Sequence, residues 1–535
     1  MESDLRFFAQ AKRTLHTVRY LKPEQIYYRL IYQLNPVQNL EKQNYEGPIN
    51  KNLSLHQLPS TKIVLSISNK RYTFNLLNIE KTYPANDINW AGQEHGRLWN
   101  YNLQYADFLK QDNLPVKIRE RLLADLYNWL IDGKLPPEPY PASLRIMNAV
   151  RFYSKHHTEL ELSQRLINSL YSELKFLLGR LEYHLSGNHL LENGFALLMG
   201  GKFLKQEKWA AKAKILLKSE LDKQILEDGG HYERSPMYHQ IILFRVLEAI
   251  GYLDPDSVLS KYLRPKAENM LSWLRLMTFR DGSIACFNDS SAGIAHTTDE
   301  LTEMAKKLSI QGIEQPLSDS GYRVFKTESA KLIMDACGIK PDHQPGHAHA
   351  DSLSFVLHIH GKPVIIDPAV STYEVGERRD WERSTQAHNT ITVQNQNSAD
   401  VWQAFRVGRR PQVDILEEAH NSMTAKLVYK TNSGLDVQHK RTFIMNDNQL
   451  ELSDHVICHE VATGRLYLDP DVIIQSADTP QVKLSGGISI SFEGITNMKQ
   501  FDYKKNIAFN KQTDARGIEY SYNERCKIRI AWSEP

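Results

Sequence analysis

The chain has 535 residues, with 65 basic and 63 acidic side chains for a net charge of +2, and 41% hydrophobic, 24% charged and 10% aromatic content. That length exceeds what one hydrophobic core supports, so two or three globular domains are the default. Near-neutral charge removes the bulk drive toward nucleic acid, which comes from neutralising many phosphates, and no apolar run is long enough to span a bilayer.

The first residues, Met1-Glu2-Ser3-Asp4-Leu5-Arg6, carry early acids and no apolar segment behind them. No secretory signal is read there, so the expectation is a cytoplasmic protein, or a periplasmic one if a leader has been removed. Helical apolar spacing then recurs over 15–34, 116–130, 143–156, 162–185, 209–227, 237–253 and 257–279. A strand pair is expected within 62–77. Breakers such as Pro136-Pro137, Ser186-Gly187, Gly229-Gly230 and Pro255 separate several of the helices. Near residue 320 the texture changes to short, β-branched, alternating segments at 322–325, 331–335, 353–358, 364–367, 390–393, 424–429, 440–445, 449–452 and 528–532. Turn residues such as Asn432-Ser433-Gly434 lie between them, as in an antiparallel sheet or sandwich. Helices followed by strands imply two segregated parts, an α+β multidomain chain. The divisions expected are 1–90 as a helical extension, 91–315 as a helical domain and 316–535 as a β domain. Cys286, Cys337, Cys458 and Cys526 are widely spaced without a CxxC and read as buried free thiols.

Polar motifs interrupt this scaffold in three places. In Ser186-Gly187-Asn188-His189-Leu190-Leu191-Glu192-Asn193, a breaker opens a helix on which His189 and Glu192 share a face, and Asn188 is either a cap or a functional group. Around Glu233-Arg234-Ser235-Pro236-Met237-Tyr238-His239, Ser-Pro starts a helix whose positive end favours a Tyr238 phenolate. In Gly346-His347-Ala348-His349-Ala350-Asp351, extended spacing would put both histidines and the carboxylate on one face, continuing into Leu353, Phe355 and Leu357. With Asp367 and His388 this is a metal or proton-transfer cluster, since zinc takes neutral imidazole and carboxylate and often leaves a fourth position open. His358 and His360 are expected to face solvent.

These motifs carry a resemblance. Trp99-Asn100-Tyr101-Asn102-Leu103, Pro139-Tyr140-Pro141-Ala142-Ser143-Leu144-Arg145, Gly187-Asn188-His189, the Tyr238 motif, the His347 motif and Ala387-His388-Asn389-Thr390 occur in the order found in heparinase II/III-type polysaccharide lyases, a group similar to certain alginate and oligoalginate lyases. The resemblance implies an N-terminal incomplete α/α toroid and a C-terminal antiparallel β-sandwich. It implies β-elimination at a uronic acid: loss of the C5 proton, departure of the 4-linked sugar and an unsaturated uronate end.

By resemblance, Asn188 and His189 bind the uronate carboxyl and stabilise the enolate, and Tyr238 and His347 exchange protons with C5 and the leaving oxygen. Arg145 and Glu192 contact substrate. A single divalent ion, zinc, would be structural and held by His349, Asp367 and His388; spacing alone does not choose Asp367 over Asp351. A phenol with a pKa of about 10 needs positive neighbours to act as a base, and His231, Arg234, His239 and His347 are the candidates. The partner expected is an anionic polysaccharide or oligosaccharide; relatives that digest external glycans usually carry an export signal, and with none read here the expectation is a nascent bacterial capsule, lipopolysaccharide or exopolysaccharide, or an imported oligosaccharide. Two other classes compete: a glycoside hydrolase using Glu192 and Glu233 as paired carboxylates, and a catalytically silent glycan-binding protein.

Overall fold

Periodic apolar spacing becomes helix where the sequence places it, in a computed structural model that describes residues 11, 13–51, 53, 55, 58, 61–85, 87–313 and 315–534. The helices are α1 (Pro23–Leu34), α2 (Arg97–Gln104), α3 (Val116–Ile131), α4 (Pro139–His156), α5 (Ser163–Gly179), α6 (Gly187–Phe203), α7 (Glu207–Gln224), α8 (Pro236–Tyr252), α9 (Val258–Leu276) and α10 (Thr298–Lys307). α4 packs on α6, α6 on α7 and α8 on α9, around a core that includes Leu174, Leu197, Leu217, Leu247 and Leu271. This is the toroid half. The helix expected over 15–34 is broken before Pro23, which has no N–H and holds Lys22 extended at φ −71°, ψ 147°. Within the stretch expected as a helical extension, β1 (Leu65–Ser68), β2 (Arg71–Leu76) and β3 (Ile79–Pro84) form an antiparallel sheet. Two of those strands answer the expected pair, and the third follows the Leu77-Asn78 turn, both of whose residues have positive φ.

The C-terminal half opens with the sheet β4 (Tyr322–Lys326), β5 (Ala330–Asp335), β6 (Phe355–Ile359) and β7 (Lys362–Ile365) in that order. After the short helix α11 (Glu377–Glu382) come β8 (Ile391–Val393), β9 (Val401–Trp402) and β10 (Arg406–Val407). β11 (Gln412–Ala419), β12 (Ser422–Lys430), β13 (Asp436–Asn446), β14 (Gln449–Ile457), β15 (Ala462–Tyr467), β16 (Ile474–Asp478), β17 (Gln481–Leu484), β18 (Ile488–Ala508) and β19 (Lys511–Trp532) complete the strands. The large sheet runs β11-β12-β13-β14-β19-β18-β17-β16, with β15 bridging β19 to β8. Alternation is clean on β13 and β14, where every second side chain is buried. Leu332 and Leu357 of the small sheet share one core with Phe443, Leu452 and Ile528 of the large one, as in a β-sandwich.

A third core joins the halves: Trp273 and Met277, at the end of α9, pack with Phe287, Tyr322, Ile333 and Val356. Two clasps reinforce the junction. Asn78 Nδ2 donates to the Phe509 carbonyl at 2.9 Å and Asn510 Nδ2 to that of Leu77 at 3.1 Å, so the tip of the β18–β19 hairpin rests on the β2–β3 turn. On the N-terminal segment, Arg13 pairs with Asp400 at 3.0 Å, Gln25 Nε2 donates to the His343 carbonyl at 3.3 Å, and Tyr32 donates to that of Leu181 at 2.7 Å.

His358 departs from expectation. It is buried and stacked on Phe279 with ring centres 3.6 Å apart, because the small sheet packs that face against the end of the helical half. All four cysteines are free; Cys337 and Cys526 are buried, Cys286 and Cys458 only partly. Among the described residues no helix is long and apolar enough to cross a membrane.

Candidate active site and metal centre

α6 starts abruptly because Ser186 and Gly187 both take positive φ, 62° and 61°. A side chain at Gly187 would run into Glu233 and Gln344. The bare backbone therefore lets Asn188 N–H reach Glu233 Oε1 at 3.0 Å and Asn188 Nδ2 reach Oε2 at 3.0 Å. Ser186, not Asn188, occupies the cap position. Both the backbone and the amide nitrogen of Asn188 thus donate to Glu233, and its Oδ1 is unpartnered.

One position on, His189 stacks 4.3 Å from Tyr140 and makes a 3.0 Å contact from Nδ1 to Glu182 Oε1. Burial lowers its pKa, but Glu182, together with Glu233 and Glu192, holds it above the ordinary imidazole value.

α8 begins as its sequence predicts: Ser235 Oγ accepts the Tyr238 N–H at 3.2 Å, followed by Pro236 in the first turn. Tyr238 presents its ring to His347, centres 4.0 Å apart and planes tilted by 32°, and its hydroxyl lies 3.3 Å from that of Tyr373. Burial, then Tyr373, pushes the Tyr238 phenol well above its ordinary pKa. Burial thus favours the phenol over the expected phenolate, and three of the four proposed cations point elsewhere. Arg234 donates to the Asp319 and Gly338 carbonyls. His239 donates through Nε2 to the Met270 carbonyl at 2.9 Å, and His231 lies against Gln224 at 3.0 Å. Of the four, His347 alone packs on the Tyr238 ring.

The His347 loop is irregular, not the extended strand that spacing predicted; pairing begins only at Phe355. Its side chains diverge accordingly. His347 Nδ1 donates to Asp289 Oδ2 at 2.8 Å, its ring bordered by Phe405 at 6.0 Å. His349 Nε2 donates to Asp289 Oδ1 at 2.9 Å. Arg379 on α11 meets the same carboxylate, Nη1 to Oδ1 at 2.5 Å and Nη2 to Oδ2 at 2.8 Å. Burial would push Asp289 up, but Arg379 and the two imidazoles hold it well below the usual carboxylate range.

Behind this pair, one nitrogen each of His349 and His388 and one oxygen of Asp351 lie within 4.8 Å of one another. His349 Nδ1, His388 Nε2 and Asp351 Oδ2 are buried without a partner. Burial and Asp367 push the Asp351 carboxyl above its ordinary value although His388 opposes them; a cation among these atoms would offset that. Asp367, expected as a ligand, instead accepts His388 Nδ1 at 2.7 Å and the Ala369 N–H at 2.9 Å. Asp351 completes the convergent trio because Asp367 already holds the far side of the His388 ring.

Arg145 and Glu192, expected to contact substrate, are both buried. Arg145 is fully buried, with Nε on Glu173 Oε1 at 2.8 Å and Nη1 on the Gln104 carbonyl at 2.8 Å. Glu192 is fully buried and takes Arg245 Nε on both oxygens, at 3.0 and 2.8 Å. Both charges are committed to ion pairs inside the helical half. Glu233, Asp289, Tyr373 and Arg379 belong to the site but carried no assigned role. Glu233 had been weighed only as a hydrolase carboxylate. Asn288-Asp289-Ser290-Ser291 reads as an ordinary polar turn, and Tyr373 and Arg379 stand alone in sequence.

Comparison with known proteins identifies both halves of the chain. A family model described as heparinase II/III N-terminus matches residues 141–309, and one described as heparinase II/III-like, C-terminal, matches 314–533. A heparin-sulfate lyase of Pedobacter heparinus is 26% identical over 359 residues, 57% of this chain and 49% of that protein. One of Bacteroides stercoris is 26% identical over 250 residues, 40% and 37% respectively. The chain thus spans about half or less of the length of these curated relatives. Among solved structures, heparinase III superposes with a TM-score of 0.66 at 17% identity, over 83% of this chain and 79% of that one. A heparan sulfate lyase from Pedobacter heparinus gives 0.54 at 18%, over 95% and 88%. At such identities the structures speak for the fold, a toroid followed by a sandwich. With both halves matched in order, the chain belongs to the heparinase II/III family.

Proposed function

We propose that this protein is a polysaccharide lyase that cleaves a uronic-acid-containing glycan by β-elimination. The observation that carries the reading is the stacked pair of Tyr238 and His347, 4.0 Å between ring centres, with opposite proton roles. Tyr238 is a phenol, held protonated by burial. Nδ1–H of His347 donates a hydrogen bond to Asp289, so the neutral ring keeps its lone pair on Nε2.

A proton beside a carboxylate is a very weak acid until the carboxylate charge is neutralised. His189, in its protonated form, supplies that charge, and the Asn188 Oδ1 acceptor suits a sugar hydroxyl. His347 Nε2 takes the C5 proton, the C4–O bond breaks as the C4–C5 double bond forms, and the Tyr238 hydroxyl protonates the departing oxygen. The proton on His347 then returns to Tyr238, which restores both groups. Tyr373 sits beside Tyr238 to share its hydroxyl proton.

The buried trio His349, His388 and Asp351 fits a divalent ion, zinc, with Asp367 orienting His388 as an outer carboxylate. When bound, the ion fixes the loop that carries His347. The substrate class is an anionic glycan, and the relatives named heparin-sulfate lyases favour a glycosaminoglycan. The hydrolase reading loses support because Glu192 and Glu233, its paired carboxylates, are held by Arg245 and Asn188.

Ultraviolet absorbance of unsaturated products, followed over heparan sulfate, hyaluronate, chondroitin, alginate and capsular polysaccharide, tests the reading. Activity on at least one is expected, with Tyr238→Phe and His347→Ala each losing roughly 100-fold or more in kcat. Cleavage without a new double bond, or lyase activity indifferent to both substitutions, would exclude it.

A further inference from the structure

Two histidines two positions apart are wired to one carboxylate. Asp289 is wholly buried, takes His347 Nδ1 on Oδ2 at 2.8 Å and His349 Nε2 on Oδ1 at 2.9 Å, and is capped by Arg379. Its backbone N–H donates to the His347 carbonyl at 3.1 Å, and the neighbouring Asn288 Oδ1 accepts the His349 N–H at 2.9 Å. The Asp289 carbonyl accepts the Ser235 hydroxyl at 2.7 Å, and that same oxygen caps Tyr238's helix. One residue therefore touches the loop, the helix start and both imidazoles.

A carboxylate paired to a guanidinium accepts hydrogen bonds and cannot donate them. Both ring nitrogens that face it must carry hydrogen. The consequence differs for the two rings because they offer different nitrogens. His347 becomes the Nδ1–H tautomer with Nε2 free; His349 becomes the Nε2–H tautomer with Nδ1 free. The first free nitrogen belongs to the ring stacked on Tyr238. The second is the unpartnered atom that meets His388 and Asp351.

We propose that Asp289 is a positioning residue that sets both tautomers at once, so that a single carboxylate prepares His347 as a base and His349 as a metal ligand. The base half rests on the β-elimination reading; the metal half stands apart from it. Asparagine at 289 would present an amide that donates as readily as it accepts, and would leave neither tautomer enforced.

The test compares wild type, Asp289→Asn and Arg379→Lys in the full chain. Three readouts are used: kcat and KM on the best glycan of the panel, zinc affinity by equilibrium dialysis with zinc alone, and nuclear magnetic resonance of isotope-labelled imidazole nitrogens. For Asp289→Asn the expectation is a kcat at least about 100-fold lower with KM within about threefold, and zinc binding weaker by about 10–100-fold. Arg379→Lys, which keeps the carboxylate, should lose less of both. In wild type, His347 and His349 should show opposite tautomers. The same tautomer in both rings, zinc affinity unchanged in Asp289→Asn, no zinc binding by wild type, or unchanged kcat would each overturn the proposal. Should Asp289→Asn fail to fold, losses in Arg379→Lys support the proposal and wild-type values in all three readouts overturn it. If wild type cleaves no glycan, the functional reading fails, while the zinc and tautomer arms still decide the inference.

Discussion

Arg145 and Arg379 are both fully buried, yet only the second meets the carboxylate that holds His347. Arg145 lies inside an ion pair with Glu173, neither side chain exposed. Removing one member of such a pair strands the other charge, at a cost of about 3–5 kcal/mol. Arg145→Met should therefore lower the unfolding free energy by that order while KM of the folded fraction stays within about twofold, as denaturant titration beside steady-state kinetics would show. The metal trio makes a second residue-level prediction. Asp351→Asn should abolish zinc retention after dialysis, whereas Asp367→Asn, which acts through His388, should weaken it by about 10–100-fold; equal loss in both would make Asp367 a direct ligand. At this scale the sequence displayed His189, Tyr238, His347, His349 and His388, because reactive types crowd into short motifs. It hid Asp289, Tyr373 and Arg379, which reach the site only through tertiary packing. It misjudged Arg145 because a motif cannot tell a buried ion pair from a binding one.

Helices and strands were legible through their periods of 3.6 and 2, and Ser235-Pro236 marked the start of α8 by its chemistry. The His347 loop was not, since alternating His-Ala-His-Ala mimics a strand that no neighbouring strand pairs. The third strand of the β1–β3 sheet was missed because Leu77-Asn78 is not a typical turn dipeptide. The start of α6 makes the element-scale prediction. At Gly187, with φ of 61°, an alanine is strained and its methyl would strike Glu233, the partner of Asn188. Gly187→Ala should reduce kcat/KM by about tenfold or more, while costing about 1–3 kcal/mol of stability. Wild-type turnover in that variant would mean that the Asn188–Glu233 contact is dispensable.

For the whole molecule, helices before strands announced the order of the two halves, but nothing in the sequence announced how they meet. The junction contains histidines held neutral. Burial holds His239 down to about 3 and His231 down to about 4, the latter despite Glu233. In the unfolded chain both titrate near 6.5. Below that value the unfolded state binds protons that the folded state refuses, so stability falls as pH drops from about 6.5 toward about 4. Urea midpoints should decline over that window, and less steeply in His239→Gln; a flat profile would show that these imidazoles do not stay neutral.

The hairpin tip resting on the β2–β3 turn has a consequence of another kind. Asn78 and Phe509 are 431 positions apart, so this contact closes a very large covalent ring with only a few hydrogen bonds. The entropy of closing a ring grows only logarithmically with its size, and the intervening parts are already drawn together by the packed junction at Trp273 and Tyr322. The contact is thus a clasp added to a junction that packing has already built. Parting it would give up only those few hydrogen bonds, while the core at Trp273 and Tyr322 keeps the halves together.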